Sequence, residues 1–184
     1  SVCEEGNLIE NGGFESPDVG TGGWTIYPDG TSGLAWDVAW KQPSGAPDVA
    51  NLEIHDSLWT PVVEGTQYAE LDTDFGDPAG GAASVTITQT IPTVIGDTYT
   101  IGYDFSPRSG TDASQNILGV WVNGVQIDTH AADGSANPGN AWTHFENEFT
   151  ATTSSTTISF DDQGTPDSLG TLIDNVSVDC NPGD

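Results

Sequence analysis

Basic residues are almost missing from this chain. Lys41 and Arg108 are the full complement against 28 acidic side chains, and the formal net charge is −26. Nucleic acid is thereby excluded as a partner, because neutralising phosphates needs clustered Lys and Arg. An anionic membrane surface is disfavoured for the same reason. No apolar run is long enough to cross a bilayer, and no signal-peptide pattern is present. The chain begins at Ser1 instead of Met, and a mature or excised segment is the expectation. A sustained 3.6-residue apolar period is also missing, so long helices are not expected.

Enzyme signatures are missing as well. There is no Gly-x-Ser-x-Gly elbow, no His-Glu-x-x-His helix and no phosphate-cradling glycine loop. The histidines His55, His130 and His144 stand far apart, without metal-ligand spacing. With 28 acidic residues, a chance carboxylate pair is guaranteed and carries little weight as a glycosidase signal. No catalytic residue is assigned, and the chain is read as a binding protein.

Cysteine is scarce and placed at the extremes, as Cys3 and Cys180. Termini of a β-sandwich often lie close together, so a bridge would tie the two ends and place the protein in an oxidising, extracellular setting. Closing so long a loop is worth roughly 5 kcal/mol in the chain-entropy model. Two free surface thiols are the alternative.

What the chain does have is short β-type runs between turn clusters. Alternation is clear in Ala83–Ile91, Thr98–Phe105 and Leu118–Ile127, the last with a tight turn at Asn123-Gly124. Further runs are Leu34–Trp40, Leu52–His55, Tyr68–Leu71, Trp142–Phe149, Thr156–Phe160 and Thr171–Val178. About ten strands with regular turns predict an all-β antiparallel β-sandwich of jelly-roll type, in one domain over residues 1–184. Long loops are expected at 17–23, 42–49, 72–82, 106–115, 131–140 and 161–170.

The acid excess leaves two readings open. One is a surface adapted to salty water. The other is bound divalent cation, above all Ca2+, which relieves carboxylate repulsion. Asp72-Thr73-Asp74-Phe75-Gly76-Asp77 begins like an EF-hand loop, but Ala83 stands where the twelfth-position Glu belongs. Asp161, Asp162 and Asp167 form a second acidic cluster.

For ligand contact, Trp59 stands out because it sits in a polar, turn-rich stretch. An aromatic ring beside carboxylates suits sugar recognition, with stacking on C–H faces and hydroxyls bonded to acids. The expected site is Trp59, His55, Asp56, Tyr68, Glu70, Asp72 and Arg108. Arg108 either pins a loop through Glu70 or Asp104, or holds a ligand through its planar fork. Trp36 and Trp40, four apart in one run, share a face and are read as core. The sequon Asn175-Val176-Ser177 is read as accidental.

Two end motifs carry a family resemblance. Asn7-Leu8-Ile9, Asn11-Gly12-Gly13-Phe14-Glu15 and Gly23-Trp24 resemble the opening of calcium-containing jelly-roll carbohydrate-binding modules of the galactose-binding-like superfamily. Leu172-Ile173-Asp174-Asn175-Val176-Ser177-Val178 resembles their last strand, and is most similar to the variant in ligand-binding regions of large secreted bacterial adhesins. Gly65–Leu71, Thr88–Pro92 and Gly96–Thr100 are similar to the middle strands. The resemblance implies that first and last strands pair around a structural Ca2+, with Glu15 and Asp174 as side-chain ligands and backbone oxygens near Asn11 and Gly13. The fold it implies, together with the polar aromatic patch around Trp59, favours a secreted module that binds a glycan or other cell-surface ligand. An adhesin or filament subunit that binds a peptide or self-associates is the alternative.

Overall fold

A computed structural model of the chain describes residues 3–41, 45–57 and 60–181, and the account below concerns those residues. They contain twelve strands and no helix. The strands are β1 (Trp24–Pro28), β2 (Asp37–Trp40), β3 (Asn51–Asp56), β4 (Gln67–Glu70), β5 (Asp72–Asp74) and β6 (Ala82–Pro92), followed by β7 (Thr98–Ser106), β8 (Ile117–Val122), β9 (Val125–Ala131), β10 (Thr143–Thr150), β11 (Ser155–Asp162) and β12 (Leu172–Asn181). Among the described residues, the strand pairings are all antiparallel. Sheet one runs β1-β3-β4-β12-β7-β10, and sheet two runs β2-β6-β11-β8-β9, with β5 against β6. The sandwich expected from the alternating runs is what the chain forms.

Alternation decides which side chains meet between the sheets. Leu52 and Ile54 of β3, Ala69 of β4, Ile101, Tyr103 and Phe105 of β7, and Ile173 and Val178 of β12 are buried in one core. Val85 and Ile87 of β6, Leu118 and Val120 of β8, and Ile158 and Phe160 of β11 complete it from sheet two. Trp36 is core too, T-shaped against Phe160, and Trp40 packs at the core's margin. The β8–β9 hairpin turns at Asn123 (φ 48°) and Gly124 (φ 76°), the left-handed pair a two-residue turn demands.

Two strands were not expected. Asp72–Asp74 lacks apolar alternation and reads as loop, yet it pairs with Ala82–Ser84 as β5. Trp24–Pro28 becomes β1 because its whole length pairs with residues 51–55 of β3. Local pattern is weak in both, and the ladder is set by the neighbouring strand.

The chain's beginning lies beside its end. Leu8 N donates to Val178 O at 2.9 Å, and Val176 N donates to Gly12 O at 2.9 Å. Gly12 is glycine for a steric reason: a Cβ there would strike the Val176 carbonyl. Cys3 and Cys180 are disulfide-bonded with their Cα atoms 6.1 Å apart, which decides between bridge and free thiols.

Candidate functional site

The outward face of sheet one gathers the chemistry. Strand register places Trp24 opposite His55, and His55 opposite Tyr68. Their rings form a row: Trp24 stacks on His55 at 6.4 Å, and His55 stacks on Tyr68 at 5.3 Å with planes 3° apart. Trp142, from just before β10, meets Tyr68 edge-on at 5.5 Å. Trp24 is 48% exposed, whereas His55 is 2% exposed and Tyr68 fully buried. One end of the row is therefore open and its floor is closed.

Beneath the row lies a closed set of charges. His55 Nε2 is 2.8 Å from Glu53 Oε1 and 2.8 Å from Glu70 Oε2. Arg108 Nη1 donates to both Glu70 oxygens, at 2.7 and 2.8 Å, and to Ser168 O at 3.1 Å. Gly170 N donates to Glu70 Oε1 at 2.8 Å, and Asp74 N to Glu53 Oε2 at 3.2 Å. Burial on its own would lower the His55 pKa, but the bonds and charges of Glu53 and Glu70 outweigh it and raise it to about 9. Burial raises the Glu70 carboxyl, and the His55 hydrogen bond and the Arg108 charge oppose that shift. Two carboxylates, one imidazolium and one guanidinium sum to zero, which is how such a set tolerates burial.

Glu53, His55 and Glu70 offer ligand atoms within 4.8 Å of one another, close enough for a metal ion. Their lone pairs are already committed to the imidazolium, the guanidinium and two backbone amides, so the chemistry fits an ion network better. His55 Nδ1 is the exception: it is buried without a hydrogen-bond partner. Stacked between the Trp24 and Tyr68 rings and buried, that N–H is closed to solvent and stays an unmet donor inside the row.

The other expected ligand residues divide. Asp56 lies apart: its oxygens accept from Gly22 N at 3.0 Å and Thr66 Oγ1 at 3.0 Å, clamping two loops. Asp72 is fully buried beneath residues 167–169, accepting from Asp167 N at 2.7 Å and Leu169 N at 3.2 Å. Its Oδ1 has no partner, and burial, with the nearby Asp162 charge, raises its pKa to about 7. Arg108 takes the loop-pinning role through Glu70. Trp59 falls outside the described residues. Glu53, Trp24 and Trp142 were not anticipated; Glu53 had a usable signal, since it is two residues from His55 and so shares its face.

The expected calcium residues meet around residues 63–67 instead of facing one another directly. Glu15 Oε1 accepts from Thr66 N at 2.9 Å and Gln67 N at 2.8 Å. Asp174 Oδ2 accepts from Glu64 N at 3.0 Å, and burial raises the Asp174 pKa to about 7. Glu15 and Glu64 line one cleft of about 360 Å3 with Asn11, Gly13 and Asn175. Asn11 is spent on local structure. Its backbone oxygen accepts from Phe14 N and the Trp36 indole at 3.1 Å each, and its side chain bonds Ser16 and Leu34.

A family model described as "Protein of unknown function (DUF642)" matches residues 53–179. The chain belongs to the DUF642 family. No curated protein matches it. Among solved structures, this DUF642 chain is similar to "Family 16 Carbohydrate Binding Module-2", with a TM-score of 0.53, 15% identity, and 94% of this chain and 99% of that one covered. Two further likenesses have TM-scores of 0.49. One is "CBM4 structure and function", at 21% identity over 94% of this chain and 99% of that one. The other is TmCBM61 in complex with beta-1,4-galactotriose, at 15% identity over 96% of this chain and 99% of that one. At 15% identity, the likeness to the family 16 module establishes the shared β-sandwich fold.

Proposed function

We propose that this DUF642 chain is a non-catalytic glycan-binding module whose site is the open end of the aromatic row on sheet one. The observation that carries the reading is Trp24, half exposed and held in place by stacking on the buried His55. A pyranose lying on the exposed face of the indole would bury its C–H face there. Glu53 and Glu70 fix the imidazole's orientation, and the imidazole backs the indole, so that platform is preorganised. Similarity of fold to a carbohydrate-binding module supports the ligand class.

An extracellular setting is part of the proposal, supported by the Cys3–Cys180 bridge. Calcium stabilisation is another part. Glu15 and Glu64 share a cleft with the Gly13 backbone, and Asp174 adjoins Glu64. A hard cation with oxygen ligands there would offset local repulsion and tie the chain's beginning to β12. Asn11, fully bonded, would shape that cleft without supplying a ligand.

Affinity electrophoresis through gels of soluble polysaccharides tests the binding reading. Retardation of the wild type, lost in Trp24→Ala, is expected; equal migration of both proteins in every gel would refute it.

A further inference from the structure

Sheet two carries a second aromatic platform on its own outward face. Trp121 of β8 takes no part in the apolar core. Its indole N–H donates to Asp161 Oδ1 at 2.8 Å, which fixes the ring. Asp161 is held in turn by Lys41 Nζ at 2.6 Å and by Gln163 Nε2 at 3.0 Å. Lys41 also donates to Asp162 O at 2.7 Å. Gly119 makes room for this arrangement, because a Cβ there would collide with the Asp161 carboxylate and the Gln163 amide.

The ground beside the ring is flat. Register sets Trp121 opposite Ser159, Ser159 opposite Thr88, and Thr88 opposite Asp37. Ser159 and Thr88 hydroxyls bond each other at 3.0 Å, so this shelf presents small hydroxyl side chains. Trp121, Thr86, Gly124, Ser159, Lys41 and Asp161 enclose a cleft of about 380 Å3. A fixed indole, a shallow shelf and a few polar groups at the rim match what a sugar ring needs, an apolar face ringed by hydroxyl partners.

We infer that this cleft is a second carbohydrate-binding site, selective for a neutral pyranose. Neutrality follows from charge: Lys41 is already paired with Asp161, and a net charge of −26 repels anionic sugars. The inference takes its ligand class from the sheet-one reading but rests on different residues, on the opposite sheet. Two sites facing away from each other would let one module bridge two glycan chains.

Fluorine NMR of 5-fluorotryptophan-labelled protein separates the two sites. The six tryptophans give six lines, assigned by single Trp→Phe variants. The probes are cellohexaose, xylohexaose, mannohexaose and beta-1,4-galactotriose, with hexagalacturonate as the anionic control. At least one neutral probe should shift the Trp121 line in a saturable way, including in the Trp24→Ala/Trp142→Ala background. Trp121→Ala in that background should weaken the same probe by about tenfold or more. A Trp121 line unmoved by every neutral probe, or moved by hexagalacturonate instead, overturns the inference. Movement at Trp24 or Trp142 without Trp121 sinks this site and leaves the sheet-one reading standing; the reverse pattern does the opposite. Because the shift is read on the unsubstituted protein, a Trp121 variant that folds poorly does not blunt the test.

Discussion

Replacing Arg108 by Met should unbalance the charges beneath the aromatic row. In the wild type, Glu53 and Glu70 are offset by His55 and Arg108, and Glu70 is fully buried. Methionine keeps most of the stem's packing but leaves Glu70 with one cation for two carboxylates. Breaking a buried pair by removing one partner costs about 3–5 kcal/mol. The Arg108 side chain is 19% exposed, and water can partly replace it, so about 3 kcal/mol is expected. Urea unfolding of the wild type, Arg108→Met, Glu70→Gln and the double variant gives the cycle. The double variant should cost less than the sum of the singles by about 1–3 kcal/mol, since the groups are in contact. In Glu70→Gln, His55 should also titrate below its value of about 9, because one of its two carboxylates has lost its charge. A cost under about 1 kcal/mol for Arg108→Met, with strict additivity, would refute the account of the charge set.

Other predictions follow from the same structure. Stability should fall as pH rises from about 4 to 9. Asp72 at about 7 and His55 at about 9 both hold protons that the unfolded chain has released at lower pH, so the folded state binds more protons throughout that window. A melting temperature higher at pH 8 than at pH 5 would contradict this. The Cys3→Ser/Cys180→Ser variant opens a loop spanning a sequence separation of 177, and should lose up to roughly 5 kcal/mol against denaturant; a loss under about 1 kcal/mol would show that the bridge restrains little. Excess chelator should lower the melting temperature, and Glu15→Gln/Glu64→Gln should abolish the response to added calcium. An unchanged melting curve, with no metal in the purified protein, would remove calcium from the account.

Much of the sandwich was legible because strand alternation is local. Ala82–Pro92 and Thr98–Ser106 show their inward sets plainly, and Asn123-Gly124 declares its turn. β5 was not legible, since Asp72-Thr73-Asp74 becomes a strand through pairing with Ala82–Ser84. Of the expected ligand residues, the fold places His55, Tyr68, Glu70 and Arg108 together. Asp56 is not among them, and parity explains it: adjacent residues of β3 point to opposite faces. Asp72 has the right parity, but residues 167–169 close over it. Trp24 and Trp142 join the row through cross-strand register and a loop contact, and neither is visible along the sequence.

The central claim is that sheet one's open aromatic end binds glycan, and a glycan array probed in calcium tests it most directly. The account predicts that the wild type binds a restricted group of oligosaccharides and that Trp24→Ala/Trp142→Ala loses them while keeping the wild-type melting profile. No binding above background, or identical binding by the folded double variant, would contradict it.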